Sequence, residues 1–436
     1  MATTRDSGHK PHGEGRRSST VTEPVDYMPV GERIAIYRRR RGLSQLALAN
    51  MIGRSEAWLS QVERGIRHVD QVSVLVMLAQ VLKVTVEDLI GQPLSLAPNG
   101  GVEYRAIPAL RAALTDYEVI PAAFGVAIGD GPVRDLPSLQ RNVDQANRLY
   151  QAAHYEEAGL LLSRLIGEAQ RAARELAGNG RRAAFGVLAQ TYHATAKTLT
   201  KVSDTELAWI AAERSLQAAQ WAESPLLMAA SAYHLGQAFR RAGQLDEAIG
   251  VTMTAARALE PGLAAAAPEH LSAWGALHLT ALIAVARQDD RVAVRQLLGE
   301  ARATADRLDQ DRNDFWTAFG PTNVALHEVS TAVELGDAGE VVRKGEALNP
   351  SRFPAGLLGR RSQVFIELAR GYTQQRKDAA AVNMLLEAER IAPEAVRYQV
   401  IVKEMLRELL RREHRASTPQ LRPLAARVGI IREDSS

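Results

Sequence analysis

Residues 40–65 read RRGLSQLALANMIGRSEAWLSQVERG. Two short stretches of helical period, LALANMI and WLSQV, sit between glycines at 42, 53 and 65. Ser44 and Ser55 each stand one residue before such a stretch, where a hydroxyl can accept the free amides of a first turn. A glycine after each stretch fits the left-handed residue that commonly ends a helix. The pattern predicts helices over Gly31–Arg41, Gln45–Ile52 and Glu56–Arg64, a fourth over Gln71–Leu82, and a fifth from near Thr85. Ile34, Leu48, Ala49, Ile52, Leu59, Val62, Leu78, Leu82 and Leu89 then converge on one small core. Two short helices joined by a glycine turn make a helix-turn-helix unit.

The polar residues between Gly53 and Gly65 follow from that reading. A helix entering the DNA major groove packs one face on its own domain and shows the other to base edges. Leu59 and Val62 form the inner face. Arg54, Ser55, Glu56, Ala57, Ser60 and Gln61 form the outer, base-reading face. Glutamine can pair with adenine at two points, glutamate can accept from the cytosine amino group, and an alanine methyl can meet that of thymine. Arg54 suits guanine or phosphate. Ser44 and Gln45 stand at a helix N-terminus, which favours a phosphate, and Arg40, Arg41, Arg64 and Arg67 flank the face. Between Gly31 and His68 eight Arg stand against three Glu, whereas the whole chain carries a formal charge of only +3. Positive charge concentrated beside such a helix indicates phosphate binding. Trp58 is open between stacking on a sugar and packing against the second helix or the linker.

Arg40–Gly65 resembles the helix-turn-helix of phage-repressor-type (XRE) regulators. The Gly-Leu-Ser-Gln start, the Leu-Ala pair, the Ile-Gly turn and the Glu-Arg-Gly end carry the likeness, which spans Val30–Gly91. It implies that Glu63 pairs with Arg38 and is structural rather than a DNA contact. It also implies dimers on inverted repeats in double-stranded DNA.

The remaining chain divides by composition. Residues 1–28 read as a flexible arm, too polar to order themselves, and 29–91 as the helix-turn-helix domain. Residues 92–137 are a Pro- and Gly-rich linker with a short helix near Ile107–Leu114, 138–415 a nearly continuous helical region, and 416–436 a terminal helix and tail. Strand alternation is nearly absent, so the fold class is all-α. Tyr233–Leu259 (YHLGQAFRRAGQLDEAIGVTMTAARAL) and Phe365–Pro393 resemble tetratricopeptide repeats, with Leu235, Gly236, Phe239, Gly243, Ala248 and Ala255 on family positions in the first. Weaker matches surround Tyr150–Leu165, Thr191–Ala219, Leu277–Leu298 and Val324–Val342. Alanine anchors at 158, 208, 248, 293, 338 and 381 give spacings longer than the usual 34 residues. The resemblance implies an α-solenoid whose concave face is built from first helices. On that face the register puts His193, Tyr233, Gln237, His278, Asn323, His327 and Arg370 as ligand-binding residues, together with Lys197 and Arg240. The order of domains resembles peptide-responsive regulators of the RRNPP type, and so implies quorum-sensing-like signalling in a bacterium.

Several chemistries are unsupported. The chain has no cysteine, which excludes disulfides and thiolate sites and suits a reducing cytoplasm. There is no apolar run of membrane-spanning length and no secretory signal pattern at the N-terminus. No HExxH, P-loop, GxGxxG or GxSxG is present, and the ten histidines lack metal-ligand spacing. No catalytic residue, metal site or cofactor is therefore expected, and the chain does not read as an enzyme. The expectation is a homodimeric, sequence-specific DNA-binding regulator whose repeats sense a peptide or small molecule. The alternative is a repeat scaffold that uses its helix-turn-helix for localisation or protein contacts.

Overall fold

The computed structural model describes residues 29–431 apart from 68, 70, 71, 85, 91–103 and 117–134. The N-terminal arm and most of the linker thus lie outside the described residues. Among those described, every regular element is a helix.

Helices α1 (Val30–Arg40), α2 (Gln45–Met51), α3 (Glu56–Glu63), α4 (Val72–Leu82) and α5 (Val86–Ile90) form the first domain. Ser44 Oγ accepts from Ala47 N–H at 3.0 Å and Ser55 Oγ from Trp58 N–H at 3.1 Å. Such caps contribute about 1 kcal/mol each. Gly42, Gly53 and Gly65 all have φ between 63° and 70°. The amide after each reaches back five residues, Leu43 to Arg38, Arg54 to Ala49 and Ile66 to Gln61. This bond closes a helix through a left-handed residue, and it sets the tight angle between α2 and α3. The core is the expected one: Ile34, Leu48, Leu59, Leu78 and Leu89 are fully buried. A Cβ on Gly31 would lie 2.0 Å from the Val62 carbonyl oxygen, so α1 and α3 meet backbone to backbone.

Helix α6 (Ile107–Leu114) is not a free spacer. Its Leu110 and Leu114 are fully buried, with Tyr104, in the core of the second domain. Six helix pairs follow: α7 (Leu136–Gln151) with α8 (Tyr155–Glu175), α9 (Gly178–Lys201) with α10 (Thr205–Trp221), and α11 (Pro225–Ala242) with α12 (Leu245–Leu259). Then come α13 (Pro268–Arg287) with α14 (Arg291–Leu308), α15 (Pro321–Glu334) with α16 (Ala338–Ala347), and α17 (Leu358–Gln374) with α18 (Asp378–Ile391). Helices α19 (Pro393–Tyr398), α20 (Val400–Arg411) and α21 (Leu421–Arg427) cover the C-terminal end and bury Leu406, Leu409, Leu421 and Leu424.

All six pairs use one turn. Ala153, Ser203, Gly243, Asp289, Gly336 and Arg376 adopt positive φ. The following amides, from His154, Asp204, Gln244, Asp290, Asp337 and Lys377, each bond the carbonyl five residues back. Only two of the six left-handed residues are glycine, which hides the repeat from a reading that relies on glycine. The alanine anchors partly shift. Ala158, Ala208, Ala248 and Ala381 are buried at the fourth position of their helices. In α14 and α16 that position belongs to Val294 and Val341, both buried, while Ala293 and Ala338 lie earlier and are half-buried.

The superhelix closes on itself. Glu394 Oε2 accepts the amides of Tyr155 (2.6 Å) and Glu156 (3.1 Å) at the start of α8. The Tyr398 hydroxyl donates to Glu156 Oε1 at 2.6 Å, and its ring meets Tyr104 edge to face at 5.6 Å. Gln151 and Asn313 bond each other at 2.9 and 3.0 Å. A carboxylate on free helix amides contributes about 1.5–3 kcal/mol. Glu394→Ala is therefore expected to lower unfolding stability by about that amount and to speed hydrogen exchange at the Tyr155 and Glu156 amides. Unchanged protection there would contradict the clasp.

Candidate DNA-recognition face and ligand cavity

The first domain is held by one buried carboxylate. Glu63 accepts from Arg38 Nε (2.5 Å) and Nη2 (2.8 Å) and from Gln45 Nε2 (2.7 Å). Hydrogen bonding to Glu63, opposed by burial and aided by its charge, raises the Arg38 pKa further. The pair expected from the resemblance is thus present. Gln45, expected at a phosphate, is engaged inside the domain instead. Glu63 needs its donors because it is buried.

The DNA-facing candidates separate into two groups. Glu56 and Ala57 are exposed on α3, and Ser55 and Ser60 half-exposed; Arg40, Arg41, Ser44 and Arg64 are exposed around them. Arg54, Gln61 and Arg67 differ from expectation. Arg54 and Arg67 are only 7% and 6% exposed. Their guanidinium carbons lie 5.4 and 6.0 Å from the centre of the Trp58 ring, which is itself buried. Trp58 therefore packs, and does so between two cations. Arg67 Nη2 lies 3.4 Å from Glu334 Oε2 at the end of α15. Gln61 Nε2 donates to the Leu335 carbonyl at 3.4 Å, and a Cβ on Gly336 would come 2.7 Å from Gln61 Oε1. The C-terminal half of the recognition helix is docked on the α15–α16 turn. Partners some 270 residues apart leave no local trace in the sequence.

The ring of repeats encloses a cavity of about 170 Å³. Every first helix contributes to its wall: Tyr150 and Gln151 from α7; Lys197, Thr200 and Lys201 from α9; Tyr233, Gln237, Arg240 and Arg241 from α11; Ile283 and Arg287 from α13; His327, Ser330 and Glu334 from α15; Arg360, Gln363, Glu367 and Arg370 from α17. Of the seven ligand candidates, Tyr233, Gln237, His327 and Arg370 line it. His193, His278 and Asn323 do not. His193 Nε2 bonds Ser231 Oγ at 2.7 Å behind the wall. His278 pairs with Glu300 at 2.9 Å and stacks near Trp274. Asn323 is buried within its helix layer. His193 and Asn323 stand one helical turn before the lining residues Lys197 and His327, beyond the reach of the cavity. Among the wall residues not anticipated, four are basic: Lys201, Arg241, Arg287 and Arg360. Their spacing, Lys197 to Lys201 and Arg287 at a helix end, would have marked them once the inner face was fixed.

Glu334 joins the two regions. It faces the cavity and is bonded by Arg287 Nε (3.1 Å) and Nη2 (3.3 Å), with Arg370 at 3.5 Å and Arg67 at 3.4 Å. Burial alone would raise its carboxyl, but Arg287, Arg370 and Arg67 outweigh that and hold it well below the usual carboxylate range. Burial, then Arg360, pushes His327 down to about 3, so it is neutral at physiological pH.

Comparison with known proteins places residues 29–89 in the helix-turn-helix domain family. The chain joins this helix-turn-helix domain to six helix pairs stacked in a closed superhelix. No curated protein matches it. A solved structure titled as a Rap protein complexed with Competence and Sporulation Factor aligns at 16% identity and a TM-score of 0.44, covering 84% of this chain and 99% of that one. Among the described residues no group of three or more potential ligands is placed to hold a metal ion, and no helix is long and apolar enough to cross a membrane.

Breaking a buried ion pair from one side costs about 3–5 kcal/mol because the other charge is stranded. Arg38→Ala is expected to melt the first domain ahead of the repeats, splitting the calorimetric transition, with Arg38→Lys intermediate. A single unshifted transition in Arg38→Ala would contradict the role given to Glu63.

Proposed function

We propose that this protein is a sequence-specific DNA-binding transcriptional regulator whose helical repeats sense a ligand and control its grip on DNA. The observation that carries the reading is the α3 face: Ser55, Glu56, Ala57 and Ser60 are accessible on a helix-turn-helix fold, ringed by exposed Arg40, Arg41 and Arg64. Glu56 and Ala57 offer cytosine and thymine contacts, and the arginines offer phosphate contacts. Action as a homodimer on an inverted repeat belongs to the same proposal. The ligand, a peptide or a small molecule, would reach Tyr233, Gln237, His327 and Arg370 on the cavity wall.

The docked arrangement is a low-affinity state on this reading. Gln61 and Arg67 cannot meet DNA while they bond Leu335 and Glu334. The dock rests on one long hydrogen bond, one buried ion pair and the fit at Gly336, a set worth a few kcal/mol. A ligand that prefers the undocked form by a similar amount shifts the population substantially; a full reversal from 1:99 to 99:1 needs about 5.5 kcal/mol.

Selection of bound duplexes from a random pool by the full-length protein tests the reading. A two-fold site with half-sites one helical turn apart, or a multiple of it, is the expected result. Arg41→Ala should weaken binding to all duplexes and reduce the salt slope by about one. Gly336→Asn keeps a left-handed residue acceptable to the turn but collides with Gln61, so it should raise affinity for the selected site by about tenfold or more. Enrichment of no sequence, with equal weak binding to every duplex, would instead favour the scaffold reading, in which this face makes protein contacts as it does against the α15–α16 turn.

A further inference from the structure

The cavity is charged far out of balance. Among the described residues, seven basic side chains line it against two carboxylates, Glu334 and Glu367. Three of the seven, Arg240, Arg287 and Arg370, gather around Glu334 or carry its partners. The other four, Lys197, Lys201, Arg241 and Arg360, form a separate basic wall. Lys197 is the sharpest case. It is 4% exposed, and its Nζ has no hydrogen-bond partner among the described residues. It lies over the rings of Tyr150 at 4.6 Å and Trp316 at 5.9 Å. A buried amine without a hydrogen-bond acceptor is desolvated at a cost that the two ring faces offset only in part.

We propose that this wall is the binding site for a compact oxyanion of three or more negative charges, an oligophosphate or a polycarboxylate, seated against Lys197, Lys201 and Arg360. The proposal rests on the reading that the repeats sense a ligand, and it names that ligand's chemistry. Size supports a compact occupant: about 170 Å³ is close to the cavity of about 150 Å³ that holds a benzene ring, and it is too small for an extended peptide while the ring is closed. Charge supports an anion. Burial, then Arg360, Arg241 and Arg240, pushes Lys201 down to about 7 against the pull of Glu367, and burial, then Arg360, holds Lys197 well below the usual range. A bound anion restores both protons.

Calorimetry on the full-length protein at about pH 8 tests this, with inorganic triphosphate and citrate as separate probes and two buffers of different ionisation heat. One or both probes should bind with net proton uptake, and affinity should fall as pH rises. Lys201→Gln should lose at least about tenfold in affinity and about half of the proton uptake. Lys197→Met should lose binding while melting at a higher temperature than wild type, because a buried amine without a hydrogen-bond acceptor is replaced by an apolar side chain; a residue with a merely structural role would lower it. Lys403→Gln, outside the cavity, should match wild type. If only triphosphate binds, the site is phosphate-selective; if only citrate binds, it is carboxylate-selective; either supports the proposal. Binding of neither, or equal binding by wild type and both variants, overturns it. The calorimetry uses no DNA, so failure of duplex selection leaves this result standing, and the reverse holds as well.

Discussion

Glu334 is the carboxylate on which the arrangement depends. It stands at the last position of α15, faces the cavity, and is shared by Arg287, Arg370 and Arg67. Two of those arginines belong to the repeats and one to the DNA-binding domain. A buried carboxylate requires cations, since each missing partner leaves a desolvated charge. The constraint therefore runs both ways. The first domain is tethered because Arg67 supplies part of the positive charge that buried Glu334 requires, and the cavity is coupled to it because Arg287 and Arg370 serve the same carboxylate.

The backbone makes that sharing possible. The turn after Glu334 is the same left-handed turn used in all six helix pairs, and here its residue is glycine. The absent side chain leaves room for Gln61, so the repeat's standard turn doubles as a docking pad. Closure of the superhelix by Glu394, Tyr398 and Glu156 fixes the distance between first helices across the ring. An open solenoid would leave the basic residues of α9 and α17 apart and solvated. The closed one brings them onto one small volume, which is the origin of the depressed lysines.

Much of the first domain was legible because its signals are local. Ser44, Ser55 and the three glycines mark helix ends within a few residues, and the Arg38–Glu63 pair follows from the family pattern. The repeats were legible as a class, through Gly236, Phe239, Ala248 and Ala381, but not in register. Val294 and Val341 replace alanine at the packing position, and four of six turns use a residue other than glycine. The stripe facing inward is longer than the cavity: His193 and Asn323 lie one turn before the lining Lys197 and His327, and His278, beside the lining Leu279, pairs with Glu300, whereas Tyr233, Gln237, His327 and Arg370 fall within the cavity's span. The dock of Gln61 and Arg67 was illegible for a different reason: it joins elements some 270 residues apart, and each side chain has an equally sound local role in DNA binding.

The central claim is that α3 leaves the α15–α16 turn when it takes DNA. The chain has no native cysteine, so spin labels can be placed singly by substitution at Arg64 and Gly339, both exposed beside the dock. Pulsed electron resonance would then measure the distance between them in full-length protein, free and bound to a selected duplex. The account predicts one short, narrow distance in free protein that lengthens by more than about 10 Å, one recognition-helix diameter, on the duplex. An unchanged short distance in a saturated DNA complex would contradict it.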